Sequence, residues 1–76
     1  MAVTQKYRNH TIRALAQKLQ GENTWRAMAH VLFFDDLGHH VNHVLRSCDE
    51  NIRTENEALA TVLTMAKQWI DNRLEI

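Results

Sequence analysis

TWRAMAHVLFF, residues 24–34, is the stretch on which the fold turns. At 100° per residue, Trp25, Met28, Ala29 and Leu32 make one stripe, and Val31, Phe33 and Phe34 broaden it until the segment is apolar nearly all round. Asn23 or Thr24 supplies an N-cap ahead of it. Proline is absent and glycine occurs only at positions 21 and 38, so little in the chain interrupts a helix or builds a hairpin. The spacing therefore predicts a helix that must be covered on more than one side. Phe33 and Phe34, as adjacent rings, cannot both enter the same core, so one of them is expected in a partner's groove.

On the N-terminal side, Ile12, Leu15, Ala16 and Leu19 fall at i, i+3, i+4 and i+7, and Gly21 stands where a C′ glycine ends a helix. This predicts a helix over roughly residues 4–20. On the C-terminal side, Asp35 can cap a further helix whose N-terminal dipole suits Asp36, with Leu37, Val41, Val44, Leu45, Cys48 and Ile52 in one narrow arc. Thr54 and Glu57 have capping-box spacing and open a last helix over about 55–74. Its stripe is Leu59, Val62, Leu63, Ala66, Ile70 and Leu74, flanked by Met65 and Trp69. The expected fold class is all-α: a compact bundle of four or five short helices in a single domain over residues 1–76, with Trp25 and Trp69 in the core.

A chain of 76 residues buries a small core and gains from a partner. The single cysteine, Cys48, excludes an intrachain disulfide, and no apolar run opens the chain or approaches the length of a membrane span. A cytoplasmic setting without a membrane is expected. Net charge is zero, but residues 1–20 carry Lys6, Arg8, Arg13 and Lys18 with no acid, whereas the remainder carries five basic and nine acidic groups. A basic first helix attached to an acidic body follows.

DDLGHHVNH, residues 35–43, holds the densest set of chemical side chains. On a helix, Asp36, His39 and His43 share one face, and His39 and His43 have the i, i+4 spacing by which histidines share zinc. The glutamate of HExxH is missing and no fourth ligand is aimed at the cluster. The expectation is a solvated face continued by Arg46 and Glu50, with no metal and no cofactor. Asp36, His39 and His43 are the runner-up metal site, and a pH-sensitive surface is the other alternative, because histidines gain charge as pH falls towards about 6.

No catalytic constellation emerges. Cys48 reads as a small buried hydrophobe, Ser47 has no base and acid arranged around it, and there is no glycine-rich phosphate loop. Nucleic-acid binding through the basic helix is less favoured than protein docking: in a helix-turn-helix reading, Asp35 and Asp36 would stand where phosphate approaches.

The run GENTWRAMAHVL (21–32), followed by AKQWI (66–70), resembles the death-domain family. There a short turn leads into a tryptophan-arginine pair on an alanine-rich helix, and a later helix carries a tryptophan near its end. The resemblance spans about residues 12–70 and implies homotypic assembly of signalling complexes, with Trp25 and Trp69 as core anchors. The chain departs from the pattern at Phe33-Phe34, where the family has a small residue, and leaves no segment for a sixth helix.

The function expected from the residues is that of a small, non-enzymatic, helical protein–protein interaction module. It would regulate or inhibit a larger protein, associate with itself, and meet partners through Phe33, Phe34, Lys6, Arg8 and Arg13.

Overall fold

The computed structural model describes residues 2–19, 21, 24–48 and 52–75. Four consecutive strands, β1 (Ala2–Tyr7), β2 (His10–Lys18), β3 (Trp25–Phe34) and β4 (His40–Cys48), form an antiparallel meander in the order β1-β2-β3-β4. One helix, α1 (Glu55–Leu74), packs on a single face of this sheet, chiefly over β2 and β3 and less over β4.

The expected all-α bundle is thereby overturned: three of its four helices are strands. In β3, Ala27, Ala29, Val31 and Phe33 are buried, while Arg26, Met28, His30 and Leu32 alternate with them on the other face, the period-two signature of a strand. The segment is apolar all round because Met28, Leu32 and Phe34 occupy the face that α1 does not cover. In β2, Ile12, Ala14 and Ala16 point to the helix and Leu15 points away, so the apparent helical stripe combined residues from two faces. The death-domain resemblance falls with the bundle, since its tryptophan-arginine helix is β3.

Alanine explains why strands win. Ala14, Ala27 and Ala29 on the sheet and Ala58 and Ala66 on the helix are buried in one cluster with Ile12, Val31, Val62 and Ile70. Their small side chains allow close approach of helix to sheet, and tertiary packing of this kind overrides alanine's preference for helix. Trp25 and Trp69 are partly buried at the margin of this cluster.

The turns carry their own chemistry. Arg8 and Asn9 link the paired Tyr7 and His10 with left-handed backbone at both positions (φ 49° and 66°), as a tight two-residue hairpin requires. Asp35 does cap backbone N–H groups, those of a hairpin turn instead of a helix. Its carboxylate accepts from Leu37 N–H at 3.0 Å and His39 N–H at 2.8 Å, while Gly38, at φ 80°, donates to the Asp35 carbonyl at 2.9 Å. The last helix matches its expected span, with the Thr54 hydroxyl accepting from Glu57 N–H at 3.1 Å and the Glu57 carboxylate accepting from Arg53 N–H at 3.2 Å. Asn23 and Glu50 lie outside the described residues, as does the side chain of Cys48.

Asp71, near the end of α1, ties the first hairpin to the helix. Its carboxylate accepts from the Tyr7 hydroxyl at 3.0 and 3.1 Å and from the Arg8 guanidinium at 2.7 Å. The Arg8 hydrogen bond, then that from Tyr7, holds the Asp71 carboxyl below the usual carboxylate range, and the same bond to Asp71 raises the Tyr7 phenol. A depressed carboxylate contributes stability above its unfolded pKa and loses it as pH falls through the folded value; a raised phenol contributes below its unfolded pKa and loses it as pH rises.

Asp71→Asn should therefore lower the melting temperature near neutral pH, and the gap from the wild type should close as pH falls below about 4. A gap that stays constant into acid would show that Asp71 ionisation is not linked to folding. Ala29→Leu, which puts a larger side chain beneath the helix, should cost about 1–3 kcal/mol in chemical unfolding. An unchanged unfolding midpoint would mean that the helix does not approach β3 closely.

Candidate functional site

Because α1 covers one face, strand residues of opposite parity form an open one. The register arranges them in rows across the sheet. Leu15, Met28 and Arg46 make one row; Thr4, Arg13, His30 and Val44 make the next; Lys6, Thr11, Leu32 and Asn42 make a third. Arg26 with Gln17 and Phe34 with His40 lie at the two ends. Leu15, Met28 and Leu32 are half-buried among their neighbours, whereas Val44 is exposed and Phe34 is 70% exposed, its ring 5.4 Å from that of His40. His30 Nδ1 lies 3.3 Å from Asn42 Oδ1.

Charge on the sheet has one sign. The four strands carry Lys6, Arg13, Lys18, Arg26 and Arg46 and no aspartate or glutamate. Asp35 and Asp36 lie in the β3–β4 turn, and Glu55, Glu57, Asp71 and Glu75 belong to α1 or its C-cap. Each open-face cation also stands opposite a residue without fixed charge: Lys6 opposite Thr11, Arg13 opposite Thr4 and His30, Arg26 opposite Gln17, Arg46 opposite Met28. Like charges are thus kept out of direct cross-strand pairs, where they would destabilise the sheet. Among the described residues, no carboxylate comes within ion-pair distance of these four cations.

At one end of this face lies a depression of about 380 Å³, lined by the apolar side chains of Leu15 and Met28 and by Gln17, Arg26 and Arg46, with the Ala16, Ala27 and Ser47 row between them. Leu15 and Met28 are directly paired across β2 and β3.

The structure divides the residues expected to bind a partner. Lys6, Arg13 and Phe34 lie on the open face. Phe33 is buried beneath α1, with the Arg73 guanidinium 4.3 Å from its ring centroid and Trp69 and His10 as ring neighbours. Arg8 is engaged by Asp71 at the hairpin. The runner-up metal set is also separated, because the helix face that joined it does not exist. Asp36 and His39 are exposed in the β3–β4 turn, His39 Nδ1 lies 3.5 Å from the Asp35 carboxylate, and His43 points to the helix side, stacked on Trp69 at 4.1 Å. Among the described residues, no three histidine, cysteine, aspartate or glutamate side chains converge on a position for a metal ion. No described helix is long and apolar enough to cross a membrane.

Helical periodicity assigns Leu15, Met28, Leu32 and Val44 to buried stripes and Arg46 to a separate solvated face, so it does not join them with Arg26 into one partner-binding surface. Their signal is the alternation Arg26, Met28, His30, Leu32 against Ala27, Ala29, Val31, Phe33, which appears only at period two. Comparison of the chain with protein-family models, curated proteins and solved structures finds no match.

Cations that serve a surface and not the core should be expendable for folding. Arg13→Gln combined with Arg46→Gln is expected to change unfolding free energy by no more than about 0.5 kcal/mol, measured by urea titration. A loss of about 2 kcal/mol or more would assign these arginines a structural role.

Proposed function

We propose that this chain is a protein-interaction module, not an enzyme, and that its open sheet face docks an acidic segment of a protein partner. The observation that carries this reading is the set Lys6, Arg13, Arg26 and Arg46, which has no carboxylate partner among the described residues, around the aliphatic residues Leu15, Met28, Leu32 and Val44. The aliphatic centre supplies area that gains from removal from water, and the cations around it supply orientation and select an acidic surface. Arginine and methionine are both enriched in protein interfaces.

Charge and composition also weigh against the other occupants. A nucleic acid would use the cations but leave the aliphatic centre without a role, and the middle of the face has no tyrosine, phenylalanine or tryptophan on which bases could stack. The chain's net charge of zero supplies little long-range attraction for a polyanion, so recognition would act at short range. A second copy stacked face to face would bring the four cations against their own kind.

The reading is tested by placing a photoreactive phenylalanine derivative at Leu32, and as a control at Thr64 on the exposed side of α1, in the producing cell. A cross-link from position 32 alone, to a net-acidic protein segment identified by mass spectrometry and lost on Arg13→Glu with Arg46→Glu, is expected. A nucleic-acid adduct, an adduct with a second copy, or equal labelling from position 64 would overturn the proposal.

A further inference from the structure

We infer that the depression between Arg26 and Arg46 is the anchor point of the open face and takes a tryptophan or phenylalanine side chain of the partner flanked by carboxylates. This rests on the reading of the open face as a docking surface and names what that surface selects.

The volume, about 380 Å³, lies at the lower end of the range of small-ligand sites and accommodates one large side chain. Its lining includes the apolar cross-strand pair Leu15 and Met28, and the thioether side chain of Met28 adapts to flat rings. The flanks are cationic on two strands. Arg46 pairs with Met28 and Arg26 lies two residues before Met28, so the two arginines are diagonal neighbours about 7–8 Å apart at the backbone. Arg46 borders Met28 across the sheet and Arg26 borders it along the strand, so the two guanidinium groups can each engage a separate carboxylate while a ring rests against Leu15 and Met28. Both arginines are exposed, and among the described residues neither has an ion-pair partner. Gln17, opposite Arg26, adds a neutral donor and acceptor to the rim without opposing a carboxylate.

Lys6 and Arg13 lie outside the depression, towards the first hairpin. They share its sign of charge but do not line it with Leu15 and Met28. A ring flanked by acids should therefore discriminate between the two cation pairs, whereas an acidic chain without a ring should not.

The test is fluorescence anisotropy with a labelled peptide that carries tryptophan between two pairs of glutamates, against a second peptide with alanine in place of tryptophan. The wild-type chain should bind the first peptide saturably and the second at least about tenfold more weakly. Arg26→Gln with Arg46→Gln should weaken the first peptide by at least about tenfold, and Arg26→Lys with Arg46→Lys should restore only part of it, because lysine lacks the planar fork. Lys6→Gln with Arg13→Gln should weaken it by less than about threefold. Equal losses from both glutamine pairs, or equal affinity for both peptides, would overturn the anchor while leaving the docking face intact. Absence of binding to the tryptophan peptide would also overturn the anchor, and the cross-link from position 32 then decides the docking face independently. Displacement of the peptide by an oligothymidylate at matched charge concentration would overturn both readings.

Discussion

A single helix can cover only one side of a sheet. α1 is 20 residues long, which corresponds to about 30 Å of length and about 10 Å of width. Four strands spaced about 4.8 Å apart are wider than that, so even the covered face is not covered in full. The helix lies mainly over β2 and β3, the two central strands, and the alanines there allow it to sit close. Everything else in the molecule adjusts to this shortage of cover. Tyr7 and Arg8 reach from the first hairpin to Asp71, and β1 is anchored at its far end without lying beneath the helix axis.

The uncovered face shows the same constraint from the other side. A sheet face exposed to water ordinarily alternates to polar residues. Here it retains Leu15, Met28, Leu32 and Val44, and the cations between them keep the surface hydrated. The open strand edges belong to β1 and β4, and each carries a basic residue on its open face, Lys6 and Arg46, a charge placement that discourages edge-to-edge pairing.

This surface also determined what could be read from the sequence. The last helix was legible because a boundary motif, Thr54 with Glu57, coincided with an uninterrupted stripe from Leu59 to Ile70. The opposition of Phe33 and Phe34 was legible too, since neighbouring rings diverge in either type of element. The strands were not. Met28, Leu32 and Leu15 filled positions that a wet strand face would give to polar residues, so alternation was hidden and a helical stripe took its place. The hairpins offered no Asn-Gly or Asp-Gly pair; Arg8-Asn9 supplies the required backbone with one unusual residue held by Asp71. The residues that concealed the sheet are those of the candidate site. Lys6 and Arg13 were legible as a basic cluster, but their company with Arg26 and Arg46 exists only after all four strands pair.

The order of elements along the chain has a consequence for biosynthesis. The three hairpin pairings join neighbours in sequence and can form as each strand is made, but the helix comes last, and Tyr7 waits for a carboxylate 64 positions later. Until α1 is complete, Ile12, Ala14, Ala29, Val31 and Phe33 have nothing above them, and a nascent sheet would expose apolar residues on both sides. Such a species is the kind that chaperones bind and that aggregates when they do not. Burial of the face beneath α1 therefore waits for the helix.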